Sequence, residues 1–179
     1  MSDQSPVVVV LYDPEWPRMF LTERAVLSQV FRDATVRIEH VGSTSVSGLG
    51  AKPMIDIMLG VEHLAIVESR TPQLAAAGYK YVPELEAEFP ERRYFRKPPS
   101  GARTHNLHAV EVGSSFWSRH LLFRDFLRTH PEVAAQYVAL NRLLKKAHLR
   151  RWRGRSLLRR TDRVRLAPHV PRRLAPGPF

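Results

Sequence analysis

A chain of 179 residues is long enough for one well-packed domain, and its 44% hydrophobic and 25% charged content is typical of a soluble globular protein. It contains no cysteine, which excludes disulfides, thiolate metal sites and a cysteine nucleophile. The apolar run near the start, Val7–Leu11, is five residues long, too short for a signal peptide or a membrane span. We therefore expect a cytoplasmic protein with no membrane partner.

The net charge of +11 is concentrated at the C-terminal end. Residues 1–141 contain 15 Lys and Arg against 16 Asp and Glu, whereas residues 142–179 contain 13 against one acid. This division predicts an electroneutral domain at residues 1–148 and a basic tail at 149–179. The tail is poor in large apolar side chains, so we expect it to be mostly disordered, and its charge makes nucleic-acid binding one functional hypothesis.

Strands and amphipathic helices alternate along the first third of the chain. Asp13-Pro14 has the composition of a helix N-cap followed by proline at the first helical position. The predicted elements are a buried strand, a helix, a half-buried strand, a glycine-rich loop and an apolar strand that ends at Gly60: Val7–Leu11, Pro14–Phe31, Val36–Val41, Gly42–Lys52 and Met54–Leu59.

The rest of the domain continues this pattern. One helix closed by Gly78, three strands and two further helices are predicted: Leu64–Ala77, Tyr79–Val82, Arg93–Arg96, His105–Val112, Phe116–Arg128 and Glu132–His148. The Pro- and Gly-containing segment 97–101 predicts a hairpin between the last two strands. Val133, Tyr137, Leu140 and Leu144 mark one apolar face of the last helix, and Trp16 and Trp117 are expected in the core. The alternation predicts an α/β (α+β) fold.

The residues that indicate chemistry are the Gly42-Ser43 pair and Asp56. A Gly-Ser turn directly after a strand lets the backbone approach a ligand, and the following N–H groups can bind phosphate oxygens. Asp56 lies within an apolar strand, where an ionised carboxylate is costly unless it binds a cation or strong donors. The pair therefore predicts a nucleotide phosphate on the turn, bridged to Asp56 by Mg²⁺. The alternative left open is a structural Asp56 that caps a loop or pairs with Lys52 or Arg37.

Four segments together resemble the GrpB-like family, a member of the nucleotidyltransferase-like superfamily. They are Tyr12–Trp16, Glu39–Val46, Lys52–Ile57 and Thr104–His108, and the resemblance extends from about Val7 to Leu144. It implies a mixed sheet flanked by helices and metal-dependent nucleotidyl transfer, with Val41-Gly42-Ser43 and Ile55-Asp56-Ile57 as the superfamily's glycine turn and first acid. The family's domain also occurs fused to dephospho-CoA kinase.

This chain departs from the active-transferase pattern in its acids. Such enzymes usually carry a second acid two residues after the first, where this chain has Met58. A third group would come from the strand His105–Val112. Because side chains alternate along a strand, His105 and Glu111 share one face and His108 lies on the other, and the sequence does not decide which face looks at Asp56.

The candidate site is assigned on this basis. The catalytic candidates are Asp56, His108 and Glu111, and the metal candidates are Asp56 and His105. The candidate nucleotide-binding residues are His40, Gly42, Ser43, Thr44, Lys52 and Arg96. For His40, a structural role at the strand end remains equally open.

Three functions follow as hypotheses. The first is a Mg²⁺-dependent nucleotidyltransferase whose acceptor substrate is unknown. The second, favoured by Met58, is a catalytically weak nucleotide-binding or accessory module in coenzyme A metabolism or protein folding. The third is nucleic-acid binding through the tail, which is atypical for the family and is either a genuine basic extension or the product of an altered gene end.

Overall fold

The computed structural model describes residues 9–147, with side chains described as far as Leu140. The predicted tail at 149–179 lies outside the described residues, as do residues 7 and 8 of the first predicted strand and the Leu144 side chain. The remainder of that first strand is a single antiparallel bridge between Val10 and Ala51.

The described part is an α+β domain built on one five-stranded sheet, as predicted. Its elements are α1 (Trp16–Val30), β1 (Arg37–Val41), a 3-10 turn (Ser43–Ser45), β2 (Ile55–Val61), α2 (Leu64–Ser69), α3 (Thr71–Ala76), β3 (Lys80–Tyr81), a second 3-10 turn (Pro83–Leu85), β4 (Arg92–Lys97), β5 (His105–Glu111), α4 (Ser115–Thr129) and α5 (Pro131–Ala147). The strand order is β1-β2-β5-β4-β3. Only β2 and β5 run parallel within this sheet, so it is mixed.

The strand register divides the side chains between two faces. The first, which we call the helix face, is buried against α1, α2 and α3 and carries Ile55, Ile57, Leu59, Phe95 and Leu107. Each fully buried side chain of this size stabilises the fold by about 1.5–3 kcal/mol relative to exposure. The second, which we call the site face, carries Val41, Asp56, Met58, Tyr94, Asn106 and His108. The N-terminal part of α4 covers only the apolar part of that face, through Phe116 and Trp117.

Helix α1 begins two residues later than predicted. The Asp13 carboxylate accepts a hydrogen bond from the Glu15 N–H at 2.9 Å, and the Asp13 carbonyl accepts one from the Trp16 N–H at 3.1 Å. Asp13 thus stabilises a turn that precedes the helix, and Pro17 falls in the first helical turn, where a missing N–H costs little. Trp16 is 1% exposed, which confirms its place in the core.

The predicted helix Leu64–Ala77 is two short helices. The helix is interrupted at Arg70, between α2 and α3, because Pro72 has no N–H and its ring would clash with the preceding turn of a continuous helix. Gly78 has φ of 89° and ends α3, as predicted.

Strand β2 does not end at Gly60 but continues through it to Val61. A Cβ at Gly60 would lie 2.5 Å from the Trp117 ring, so this glycine makes room for the aromatic side chain that α4 places on the sheet. The glycine read as a strand terminator is therefore a packing residue.

Helices α4 and α5 pack against each other at the end of the sheet. Val46, Leu49, Leu127 and Ala134 form their shared core, with Val133 and Tyr137 against it. Leu140 is 54% exposed, so the predicted apolar face of α5 is wrong at this position. Among the described residues, no helix combines the length and apolarity needed to cross a membrane.

Candidate functional site

The Gly42 turn joins β1 to the first 3-10 turn and lies against Asp56. Gly42 has φ of 72° and ψ of −176°, a conformation essentially restricted to glycine. A Cβ at Gly42 would be 2.5 Å from Asp56 Oδ2, so the missing side chain is what allows the turn to reach the carboxylate. The Ser43 and Thr44 N–H groups precede the first hydrogen bond of this turn, Ser45 N–H to Gly42 O at 3.2 Å.

The side chains of His40 and Thr44 hold this turn from the helix face. Thr44 Oγ1 donates to the Met54 carbonyl at 3.2 Å and accepts from His40 Nε2 at 3.1 Å. The His40 ring stacks on Phe20 with 4.8 Å between centroids. Burial lowers the His40 pKa to about 4, so the imidazole is neutral at neutral pH. Both side chains therefore support the turn. The contact of His40 with a nucleotide stays a prediction beside this structural role.

Asp56 lies on the site face, with a side chain 30% exposed. Its Oδ1 accepts a hydrogen bond from Asn106 Nδ2 at 2.8 Å. Tyr94 in turn donates to Asn106 Oδ1 at 2.6 Å, and burial raises the Tyr94 pKa, which keeps that hydroxyl protonated. Arg103 Nη1 donates to the Tyr94 oxygen at 3.3 Å. A chain of donors thus orients Asp56 so that Oδ1 is occupied and Oδ2 faces the Gly42 turn.

A second chain of contacts reaches Asp56 through His108. Arg92 Nη1 lies 3.3 Å from His108 Nδ1, and a guanidinium can only donate, so Nδ1 accepts and Nε2 carries the proton. That Nε2 is 3.8 Å from Asp56 Oδ1. Arg92 is 8% exposed and its guanidinium lies over the rings of Phe89, Tyr94 and Phe116 at 4.5–5.4 Å. Arg92 thereby fixes a His108 tautomer that presents an N–H towards the carboxylate.

The metal-binding capacity of the site is limited to one carboxylate. Met58, where active nucleotidyltransferases usually carry a second acid, is fully buried and packs with Phe116 and Trp117. Among the described residues, no group of three or more His, Asp and Glu side chains could enclose a metal ion. Asp56 Oδ2 nevertheless suits a Mg²⁺ that arrives bound to phosphate, because Mg²⁺ is commonly held by one or two carboxylates together with substrate phosphates and water.

His105 and Glu111 do not join Asp56. Both occupy helix-face positions of β5, since Asp56 pairs with Asn106 and the side chains alternate from there. His105 Nδ1 contacts Thr104 Oγ1 at 2.9 Å, and burial lowers the His105 pKa. Glu111 accepts from the Leu64 N–H at 3.3 Å. The metal position expected for His105 and the catalytic position expected for Glu111 are therefore corrected: these side chains lie across the sheet from the carboxylate.

The two remaining candidates lie near the edge of the site. Arg96 pairs with Asn106, which puts it on the site face, and its Nη2 donates to the Pro99 carbonyl at 3.2 Å. Lys52 is half-buried in the segment that leads from the Val10–Ala51 bridge into β2. Neither residue is brought into contact with Asp56.

Three site residues were missed by sequence reasoning: Tyr94, Arg92 and Asn106. Asn106 belongs to the Thr104–His108 segment that carried the resemblance, and its two-residue offset from His108 places both on one strand face. This spacing could have indicated Asn106. The contributions of Tyr94 and Arg92 depend on the pairing of β4 with β5, and the sequence contains no direct signal for that register.

Comparisons with known proteins show that this chain is similar to several bacterial proteins. The UPF0157 protein YqkA of Bacillus subtilis is 39% identical over 142 residues, which cover 79% of this chain and 40% of that protein. The glutamate-rich protein GrpB of Alkalihalophilus pseudofirmus is 32% identical over 82% of this chain and 85% of its own length. A dephospho-CoA kinase of Mycolicibacterium paratuberculosis is 30% identical over 78% of this chain, but the match spans only 40% of the kinase.

A solved structure shares the fold as well as the sequence. The crystal structure of the conserved protein GrpB from Enterococcus faecalis superposes with a TM-score of 0.72 at 36% identity, covering 80% of this chain and 86% of that one. Residues 6–156 match the family described as GrpB protein, which is most of the chain and contains every site residue named above. The chain therefore belongs to the GrpB protein family.

Proposed function

We propose that the site binds a nucleotide through its phosphates, with Mg²⁺ between a phosphate and Asp56. The observation that carries this proposal is the position of Asp56 Oδ2 directly beside Gly42, while the hydrogen-bond donor Asn106 occupies Oδ1. One oxygen is thus fixed by the protein and the other faces a glycine turn whose leading N–H groups suit a phosphate. The Ser43 and Thr44 N–H groups are the proposed phosphate contacts.

The chain's own residues orient the ligand in this proposal. Asn106 and His108 set the direction of the Asp56 carboxylate, and the His108 N–H is a donor for an anionic phosphate oxygen. Arg96 lies on the same face, where its guanidinium adds positive charge at the rim. The bound Mg²⁺ would neutralise phosphate charge, which is its usual contribution in phosphoryl chemistry.

The geometry favours binding over rapid nucleotidyl transfer. Active enzymes of the nucleotidyltransferase-like superfamily, which the sequence resembles, use two or three acids. Here the position of the second acid is taken by Met58, a buried apolar side chain. Among the described residues, the side chains that β5 brings to the carboxylate are His108 and Asn106, and neither is an acid. We therefore propose a nucleotide-binding accessory module in which transfer, if it occurs, is slow.

The names of two similar proteins direct the choice of nucleotide. Dephospho-CoA kinases of Mycolicibacterium paratuberculosis and Mycobacterium bovis each contain a segment similar to this chain. ATP and dephospho-CoA share an adenosine and a 5′-linked diphosphate, so one phosphate-binding turn could accept either. We propose a role in coenzyme A metabolism and include dephospho-CoA as a ligand beside ATP.

Calorimetric titration with ATP and with dephospho-CoA, in Mg²⁺ and in EDTA, tests the proposal on three proteins. Wild type should bind in Mg²⁺, Asp56→Asn should lose at least about tenfold in affinity, and Glu111→Gln should behave as wild type. The last variant is the matched control, because it removes a carboxylate from the same pair of strands but on the helix face. Equal binding by Asp56→Asn, or binding indifferent to Mg²⁺, would refute the metal role.

The fold should survive the Asp56→Asn substitution. An ionised carboxylate in a partly buried position is costly to desolvate, and asparagine keeps an oxygen that can accept from Asn106. Urea unfolding should therefore place Asp56→Asn close to wild type. A severe loss of stability would instead favour a structural role for Asp56.

A further inference from the structure

The C-terminal half of α4 sends two arginines to the segment that surrounds the Gly42 turn. Arg124 Nη1 donates to the His40 carbonyl at 3.2 Å, just before the turn. Arg128 donates through Nε and Nη2 to the carbonyl of Ser45, the last residue of the turn, at 3.1 and 2.9 Å. These contacts join residues more than 80 positions apart in the sequence, and they hold both ends of the turn.

Carboxylates fix the two guanidinium groups themselves. Arg124 donates to Glu39 Oε2 and to Asp125 Oδ1, both at 2.7 Å, and Asp125 Oδ1 is also 3.6 Å from Arg128 Nη1. Arg124 is 9% exposed and so part of the packed interior. Arg128 is 43% exposed at its side chain, so it can be replaced without opening the core.

We propose that Arg128 is a positioning residue for the phosphate-binding turn, with Arg124 as its buried partner. Within the turn, Ser45 donates through its hydroxyl to Gly42 O at 2.6 Å, and Gly42 adopts a conformation that costs free energy for any other residue. Anchoring the Ser45 carbonyl to α4 keeps the preceding Ser43 and Thr44 N–H groups aimed at the ligand beside Asp56. This inference rests on the proposed nucleotide binding.

The test compares Arg128→Ala and Arg128→Lys with Arg119→Ala. Arg119 is an exposed arginine of the same helix whose Nε donates only within that helix, to the Ser115 carbonyl, so its loss removes the same charge without touching the turn. Amide hydrogen exchange of residues 43–46 reports on the turn without any ligand, and calorimetric titration with ATP and Mg²⁺ reports on binding.

Arg128→Ala should speed exchange in the turn about tenfold and weaken ATP binding by a similar factor, the effect expected from losing a charge-assisted hydrogen bond. Arg128→Lys should recover part of both effects because lysine can still donate to Ser45 O, and Arg119→Ala should resemble wild type. Unchanged turn exchange in Arg128→Ala, or an equal effect of Arg119→Ala, would overturn the positioning role. If the exchange changes as expected but wild type binds no ATP, the proposed nucleotide function fails and the anchoring of the turn stands. If wild type binds ATP and Arg128→Ala binds it equally well, only the positioning role fails.

Discussion

The contact between Gly42 and Asp56 can be tested by adding one methyl group. In Gly42→Ala the new Cβ would meet Asp56 Oδ2 at 2.5 Å and the Asp56 Cβ and Cγ at 3.1 Å. The residue would also have to hold φ of 72° with ψ of −176°. A non-glycine residue in that region costs roughly 1–3 kcal/mol, and the overpacking costs roughly 1–3 kcal/mol more. We expect the free energy of unfolding to fall by about 3 kcal/mol.

Gly48→Ala separates the two contributions. Gly48 also has a positive φ, of 76°, but a Cβ there would meet nothing within 4 Å. It should therefore lose only the conformational part, about 1–2 kcal/mol. Urea unfolding followed by circular dichroism measures both variants, provided that the slope with denaturant is unchanged.

The steric part of the Gly42→Ala effect should depend on Asp56. In an Asp56→Ala background the 2.5 Å contact with Oδ2 no longer exists, so Gly42→Ala should cost about 1 kcal/mol less than in wild type. A Gly42→Ala loss no larger than that of Gly48→Ala, or one indifferent to the residue at position 56, would show that the turn does not lie against the carboxylate.

Three further outcomes are expected. Gly60→Ala should destabilise the protein by roughly 2 kcal/mol because its Cβ would lie 2.5 Å from the Trp117 ring; urea unfolding that matches wild type would contradict this packing. His40 and His120 have pKa values lowered by burial to about 4, below the 6.5 of the unfolded chain, so their stability contribution is complete above pH 6.5 and is lost as the pH falls towards 4. Unfolding measured at pH 8 and pH 5 should show a loss of about 2 kcal/mol for each histidine. His40→Gln should remove its own share of that loss and leave the share of His120, whereas a profile identical to wild type would be at odds with a buried neutral His40 imidazole. Removal of residues 149–179, which contain ten arginines and one acid, should abolish salt-sensitive binding to duplex DNA while ATP binding persists; DNA affinity that survives the truncation would rule out the tail as its source.

The local part of the site could be predicted because it depends on short-range chemistry. A Gly-Ser pair after an alternating strand indicates a tight turn, and an acid within an apolar strand indicates a carboxylate that needs a partner. The two strands are neighbours in the sheet, with Val41 paired to Asp56, so the turn that follows Val41 lies beside the acid. Sequence reasoning therefore reached Gly42, Ser43 and Asp56 without knowledge of the rest of the sheet.

The boundary errors have equally local causes. Pro72 was passed over within an otherwise helical pattern, although proline disfavours a continuous helix and here separates α2 from α3. Gly60 was interpreted as the end of β2. Its missing side chain instead leaves room for the Trp117 ring, which comes from α4. A glycine has the same appearance in sequence whether it ends a strand or admits a neighbour, and only the partner distinguishes the two.

The groups around Asp56 could not be predicted because they depend on register between distant strands. Alternation correctly separated His105 and Glu111 from His108, yet the choice between those two sets rests on the pairing of Asp56 with Asn106, fifty residues away. A shift of one residue in that parallel pairing would exchange the two faces, bringing His105 to the carboxylate and removing His108. The same register places Asn106, rather than a second acid, on Asp56 Oδ1. The identity of the residue that contacts Asp56 Oδ1 is thus a property of how β2 and β5 pair and not of either segment alone.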